Sequence, residues 1–197
     1  MRKKITSELR ASGELMLHIA KEQIDSVIGA AELARKTMKS GGTVFIFGNG
    51  GSASQAQHIA AELVNRLRKT RRPLPAIALT TDSSILTSIA NDTSFQNVFS
   101  RQIEALGRKG DLAWAISTSG RSRNVIKALE TAKSLKLSTL GFAGKSGGRM
   151  TGITDRLITV PSSSTARVQE AHLTMAHIIC ELIEEDILAE ESAKPRT

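Results

Sequence analysis

The chain has few cysteine and aromatic residues. Among 197 residues there are one cysteine, one tryptophan, five phenylalanines and no tyrosine. A single cysteine, Cys180, excludes an intramolecular disulfide and fits a reducing cytoplasm, where we expect the protein to act. Because Cys180 lies in an apolar helical run, we expect an inert core residue. So few aromatic side chains leave little to stack on bases, which disfavours a nucleic-acid partner.

Long hydrophobic runs are also missing from the sequence. No stretch approaches the roughly 18–20 apolar residues of a membrane span. The N-terminus begins Met-Arg-Lys-Lys, as a signal peptide does, but Glu8, Arg10 and Glu14 interrupt the apolar residues that follow. We therefore expect neither a leader segment nor a membrane partner.

Acidic residues are outnumbered, and the formal net charge is +8. Much of the excess falls in the basic segment, residues 66–72, which contains Arg66, Arg68, Lys69, Arg71 and Arg72. Three interpretations stay open. In the first interpretation, the segment is a solvated helix end, where cations suit the helix dipole. Alternatively, it is a basic rim that attracts an anionic small substrate, or a surface for nucleic acid.

The pattern of apolar residues predicts a helical preface followed by alternating strands and helices. We predict helix over residues 3–40, bent or divided at Gly13, and later helices over 53–68, 95–106, 122–136 and 165–188. Strands are predicted over 43–48, 76–81, 112–117, 138–143 and 157–160. This order predicts an α/β fold, a three-layer αβα sandwich with a five-stranded, mainly parallel sheet. We divide the chain into an N-terminal oligomerisation segment (1–40), one domain (41–190) and a disordered tail (191–197).

The last predicted helix is apolar on nearly all sides as far as Ile183. Such a helix is buried, and we expect it to pack against a neighbouring subunit as well as its own sheet. The sequence therefore predicts a homo-oligomer.

The stretch from Val44 to Glu62 predicts an anion site. An apolar strand runs into Gly48-Asn49-Gly50-Gly51-Ser52 and then into a helix, whose free N–H groups and dipole favour anions. His58 and Glu62 are one turn apart, so they share a face of that helix. The loop also fits the dinucleotide pattern G-x-G-x-x-G/A, but the first candidate for its acidic partner, Asp82, comes too late. We therefore expect no nucleotide cofactor.

A second anion loop follows the third strand. Ser117-Thr118-Ser119-Gly120-Arg121-Ser122 leads into a helix and supplies four hydroxyl groups. Capping the helix needs only one hydroxyl, so we expect the others to contact phosphate. Ligands of open α/β sheets bind at the carboxyl ends of the strands, which is where both loops lie.

Together these motifs resemble the phosphoheptose isomerases of the sugar isomerase (SIS) domain superfamily. The resemblance covers about residues 40–188, in order and without large gaps. Its further motifs are Leu79-Thr-Thr-Asp82, Ala90-Asn91-Asp92, Phe99-Ser-Arg101-Gln102, Gly144-Lys-Ser-Gly-Gly148, Val168-Gln169-Glu170-Ala-His172 and His177. The resemblance implies an SIS fold and a cytoplasmic homotetramer with active sites at subunit contacts. It also implies conversion of sedoheptulose 7-phosphate to D-glycero-D-manno-heptose 7-phosphate, for bacterial surface polysaccharides such as lipopolysaccharide.

The resemblance also assigns roles to individual residues. Glu62 would be the base and His177 the acid/base of an enediol(ate) mechanism. The implied substrate contacts are Asn49, Gly50, Gly51, Ser52, Glu62, Arg66, Asn91, Asp92, Ser117, Thr118, Ser119, Ser122 and Gln169. We expect Arg66 to follow Glu62 by one turn on the same helix face. Some family members bind zinc, and the ligands carried over would be His58, Glu62, Gln169 and His177.

Two other functions stay open at this point. Some isomerases have an acidic residue where this chain has Ala166. A related branch binds the bacterial replication initiator and is not an isomerase, but it tends to lack the equivalents of Glu62 and His177. A sugar-phosphate-sensing SIS module is the third possibility.

Overall fold

A computed structural model describes residues 1–193, and five strands form one sheet in it. The strands are β1 (Val44–Gly48), β2 (Ala76–Ala78), β3 (Leu112–Ser117), β4 (Ser138–Gly144) and β5 (Arg156–Val160). Their order is β2-β1-β3-β4-β5, and every pair of neighbours is parallel. Strands β1 and β3 are buried along their whole length, as expected for the centre of a parallel sheet covered on both faces. The predicted α/β class is confirmed.

Helices cover both faces of this sheet. They are α1 (Arg2–Glu22), α2 (Ile24–Lys39), α3 (Gly51–Val64), α4 (Ser83–Asp92), α5 (Ser100–Leu106), α6 (Arg123–Ser134) and α7 (Thr165–Ala193). One hydrophobic cluster joins α1, α2, α3 and α7 to one face, and a second joins α4, α5 and α6 to the other. Within the described residues, no helix has both the length and the apolarity to cross a membrane.

Several predicted boundaries are wrong. The N-terminal helical region divides at Gln23 and not at Gly13, which lies inside α1. Helix α4 was not predicted, because it buries no residue fully and therefore carries a weak apolar pattern. Helix α7 continues to Ala193, so residues 191–193 are helical and do not belong to a disordered tail. The rest of that predicted tail lies outside the described residues.

Helix α3 ends at Val64, four residues earlier than predicted. The basic segment is therefore a loop and not the end of a helix. It folds against α7, where Arg68 lies 2.8 Å from Glu181 and Arg72 lies 3.8 Å from Glu191. The interpretation of residues 66–72 as a solvated helix end is thus wrong.

Candidate active site at the ends of strands β1 and β3

Glycines allow the loop after β1 to approach the loop after β3. A Cβ on Gly48 would lie 2.6 Å from the carbonyl oxygen of Ile116, which real Cβ atoms do not tolerate. Gly50 has φ +55° and ψ −123°, a conformation available to glycine at little cost, and turns the chain into α3. The two loops predicted to hold anions are therefore neighbours.

A pair of side-chain amides joins these loops. Nδ2 of Asn49 donates to Oδ1 of Asn124 at 2.9 Å, and Nδ2 of Asn124 donates back to Oδ1 of Asn49 at 2.8 Å. Asn124 is buried at the start of α6, and the sequence analysis did not single it out. No local motif marks this residue, because its partner lies on another loop. The pair fixes the orientation of the Asn49 side chain.

Helices α3 and α7 bring three ionisable side chains together. Nε2 of His58 lies 2.7 Å from Nε2 of His177 and 3.3 Å from Oε1 of Glu62. One ligand atom from each of the three residues lies within 4.8 Å of the others. Glu62 is partly buried, with 17% of its side chain exposed, whereas His58 is more open to solvent. The structure thus joins the predicted base, the predicted acid/base and a predicted metal ligand.

This cluster, His58, Glu62 and His177, offers two imidazole nitrogens and a carboxylate oxygen, which are donor types that zinc binds. Zinc binds imidazole nitrogen and carboxylate oxygen at about 2.0–2.2 Å, so tetrahedral neighbours lie about 3.3 Å apart. The 3.3 Å between His58 and Glu62 matches that spacing. The 2.7 Å between the two imidazole nitrogens is shorter, so the rings would have to separate slightly around an ion. The three residues fit the metal after a small adjustment.

Gln169 lies on α7 against the start of α3. A Cβ on Gly51 would come within 2.4 Å of Nε2 of Gln169, so the absence of a side chain at Gly51 makes room for this amide. Nε2 of the buried Gln55 donates to the backbone carbonyl of Gln169 at 2.6 Å. These contacts hold Gln169 beside the β1–α3 loop. Its place among the metal ligands stays a prediction.

The loop from Ser117 to Ser122 presents hydroxyl groups beside the start of α6. Oγ of Ser117 lies 3.0 Å from Oγ of Ser122. Ser122 is the N-cap of α6, but its side chain makes no capping hydrogen bond, and Ser119 accepts only the N–H of Arg121. Capping therefore does not explain the hydroxyl groups. Thr118 and Ser119 also line an open cavity of about 450 Å³ that includes Gly144 and Lys145.

Three predicted substrate contacts lie outside these groups. Asn91 and Asp92 are exposed at the end of α4, where Nδ2 of Asn91 donates to Oδ1 of Asp92 at 2.8 Å. Arg66 is exposed in the loop after α3 and donates to Oγ1 of Thr70 at 2.8 Å. The expectation that Arg66 shares a helix face with Glu62 is wrong, because α3 has already ended.

Three more residues named in the sequence analysis lie outside the cluster and the two loops: His172, Ala166 and Cys180. His172 is 1% exposed, and its Nε2 lies 3.1 Å from the carbonyl oxygen of Ala143. Ala166 is exposed in the first turn of α7, while Glu170, one turn later, is engaged by Arg167 and by Ser12. Cys180 is buried, which raises the pKa of its thiol to about 12, so the prediction of an inert core cysteine is confirmed.

Comparison with known proteins identifies a domain in this chain and then the family to which the chain belongs. The family model of the SIS domain matches residues 9–144. The phosphoheptose isomerase of Aquifex aeolicus is 48% identical over 185 residues, which cover 94% of this chain and 97% of that protein. The chain therefore belongs to the phosphoheptose isomerase family of SIS-domain proteins.

Solved structures agree with this assignment. The phosphoheptose isomerase of Neisseria gonorrhoeae has a TM-score of 0.89 and 37% identity, covering 93% of this chain and 98% of that one. The phosphoheptose isomerase of Francisella tularensis has a TM-score of 0.90 and 34% identity, covering 93% and 97%. The predicted SIS fold is confirmed.

Proposed function

We propose that this protein converts sedoheptulose 7-phosphate to D-glycero-D-manno-heptose 7-phosphate, as a step of heptose biosynthesis. Its family makes it an isomerase that acts on sugar phosphates. The observation that carries the proposal is the cluster of His58, Glu62 and His177, held between α3 and α7. A carboxylate and imidazoles close together are the groups that proton transfer between adjacent carbons requires.

The proposed reaction moves two protons and leaves the phosphate untouched. Glu62 takes a proton from C1 of the open-chain ketose while His177 donates a proton to O2, which gives an enediol. Glu62 then returns its proton to C2 as His177 removes the proton from O1. The product carries an aldehyde at C1 and a hydroxyl at C2, and both side chains end in their starting states. Before these steps, His177 also assists ring opening.

The hydroxyl-rich loops support recognition of the phosphate. We propose that Ser52, Ser117, Thr118, Ser119 and Ser122 contact the phosphate oxygens together with the backbone of Gly50 and Gly51. The N-termini of α3 and α6 lie at these loops and favour an anion. Asn49, Asn91, Asp92 and Gln169 are proposed to contact sugar hydroxyls. The predicted contact of Arg66 would now come from a loop.

A zinc ion is the proposed occupant of the cluster. His58, Glu62 and His177 would hold it, with Gln169 as the predicted fourth ligand, and the ion would then take over the role of the proton that His177 donates in the reaction above. When bound, zinc would polarise the oxygen atoms on which charge develops.

We also propose a cytoplasmic homotetramer, which the apolar surface of α7 supports. Ile178 and Leu182 are 44% and 39% exposed in the single chain, and Ile28 of α2, which is 44% exposed, lines an open groove together with Leu182. Large apolar side chains that cluster on a surface favour a partner. A solution mass of one chain, measured by light scattering, would contradict the proposal.

The experiment that tests this function is turnover of sedoheptulose 7-phosphate by the purified protein. We expect the aldose product, with turnover reduced by a chelator and restored by added zinc. Turnover that the chelator leaves unchanged would contradict the catalytic metal but not the isomerase activity. No product despite binding of the phosphosugar would contradict the isomerase and favour the sensing module. Capture of a replication initiator without turnover would favour the adaptor.

A further inference from the structure

The loop that follows α3 is held by a single buried carboxylate on α7. Glu184 is 2% exposed. Its Oε2 accepts the N–H of Leu67 at 3.0 Å, and its Oε1 accepts those of Arg68 and Lys69 at 2.9 and 2.8 Å. Three backbone donors on one carboxylate fix both the path of the loop and its distance from α7.

A buried guanidinium connects this carboxylate to the C-terminal end of α3. The side chain of Arg71 is 1% exposed, and its Nε lies 3.6 Å from Oε2 of Glu184. Its Nη2 donates to the backbone carbonyl of Glu62 at 2.8 Å, and its Nη1 donates to the carbonyl of Asn65 at 3.3 Å. Arg71 thus satisfies carbonyls that the end of a helix leaves free, and one of them belongs to Glu62.

The same two helices carry the candidate catalytic cluster. Glu184 follows His177 by two turns, so both residues lie on the side of α7 that faces α3 and its loop. The contact between Glu184 and Arg71 therefore joins the backbone of Glu62 to the helix that carries His177. We call Glu184, Arg71 and the amides of residues 67–69 the clamp.

The clamp places a carboxylate and a guanidinium together in a buried position. Taking a carboxylate and a guanidinium out of water is costly, and well-packed apolar side chains often serve a fold as well as a buried ion pair does. Burial opposes ionisation of Glu184, but three backbone N–H groups and Arg71 lower the pKa of its carboxyl overall. The carboxylate is therefore charged at neutral pH and can hold all of its partners.

We propose that Glu184 and Arg71 are positioning residues, which set the distance between Glu62 and His177. The proposal rests on the proposed function for its kinetic consequence, but the distance itself is a property of the fold. Misplacing a catalytic group by about 1 Å costs about 100-fold in rate. One hydroxyl-rich loop follows β3, and the β1–α3 loop lies at the opposite end of α3 from the clamp, so the clamp should affect the chemical step more than substrate binding.

The chain offers a matched pair of substitutions on α7. Glu184→Gln removes the charge of the clamp and places an amide donor among backbone donors. Glu191→Gln is the control, because Glu191 also accepts a loop N–H, that of Arg72 at 3.4 Å, but at the surface. We expect Glu184→Gln to lower kcat about 10- to 100-fold with KM changed less than about threefold. Glu191→Gln should leave both unchanged.

Substitutions of Arg71 keep the test valid if Glu184→Gln does not fold. Arg71→Lys retains the charge but has one nitrogen to share among the carbonyls, so it should restore part of the kcat that Arg71→Met loses. Equal kcat values for folded Arg71→Met, Arg71→Lys and wild type would overturn the proposal. A kcat that falls only in proportion to the folded fraction, measured by circular dichroism, would overturn it too.

A spectroscopic measurement separates this proposal from the proposed function. The ¹⁵N resonances of the His58 and His177 rings report their contact whether or not sedoheptulose 7-phosphate is a substrate. We expect Glu184→Gln to shift both resonances and Glu191→Gln to leave them unchanged. Unshifted ring resonances in folded Glu184→Gln would refute the positioning role. If the wild-type protein shows no turnover, the proposed function is contradicted but the positioning role is not.

Discussion

At the scale of single residues, the contact between His58 and His177 matters most. Two imidazole nitrogens at 2.7 Å share a proton or an ion, since two lone pairs would repel each other at that distance. The sequence predicted that His58 and Glu62 share a helix face, because that depends on helical spacing alone. Spacing could not predict the arrival of His177, because that depends on how α7 packs against α3.

His172 gives a prediction about pH and stability. Burial lowers the pKa of this imidazole from 6.5 to about 4. Between these pH values the unfolded chain therefore binds a proton at His172 that the folded protein does not bind. Stability should therefore fall as the pH drops from 6.5 towards 4, by about 2 kcal/mol at pH 5 from this residue. His172→Gln should lose less stability than wild type between pH 7.5 and pH 5.

Denaturant unfolding at the two pH values measures this effect. His18→Gln is the matched control, because His18 is exposed on α1. An equal loss of stability on acidification in His172→Gln and wild type would show that His172 does not resist protonation in the folded state.

At the scale of elements, the start of α3 depends on a helix that is distant in sequence. Gly51 was predicted to be part of an anion loop, and its contact with Gln169 adds a second reason for glycine there. Gln55, one turn later, fixes the backbone of the same glutamine. Helices α3 and α7 therefore present their polar side chains as one unit.

Gly51→Ala tests that unit. The new methyl group would push the Gln169 amide away, because only a flexible side chain stands in its path. We expect the fold to persist and turnover to fall at least about tenfold, by the sensitivity of catalysis to misplacement. Gly13→Ala, which meets nothing within 4 Å in α1, should keep turnover and stabilise the helix by up to about 1 kcal/mol.

Steady-state kinetics and thermal unfolding on both variants provide the measurement. Normal turnover by Gly51→Ala would mean that Gln169 does not need its present position.

The sequence predicted strands better than helix ends. The central strand β3 has the predicted bounds, since a fully buried run between turn residues is a clear signal. The end of α3 was misplaced because the groups that contact it, from Arg71 and Glu184, lie outside the helix. Local periodicity carries no information about such a distant contact.

At the scale of the whole molecule, the sheet explains why these parts meet. Parallel strands place their carboxyl ends on one edge, so the loops after β1 and β3 lie side by side. Helix α7 packs on the same face as α3, where it places Gln169 beside the start of α3 and His177 beside His58, two turns further along that helix. The candidate site thus joins residues from both ends of the domain. Its anion loops and the His58–Glu62 pair followed from local sequence, whereas Gln169 and His177 were inferred only through the family resemblance.

The most direct test of the account is Glu62→Gln, which replaces the proposed base with an isosteric amide. It should abolish turnover of sedoheptulose 7-phosphate and leave binding of the phosphosugar, measured by calorimetry, largely intact, because the hydroxyl-rich loops are unchanged. Glu130→Gln, on the surface of α6 beside Arg149, is the control and should behave as wild type. Turnover retained by folded Glu62→Gln would contradict the central claim that this carboxylate moves the proton.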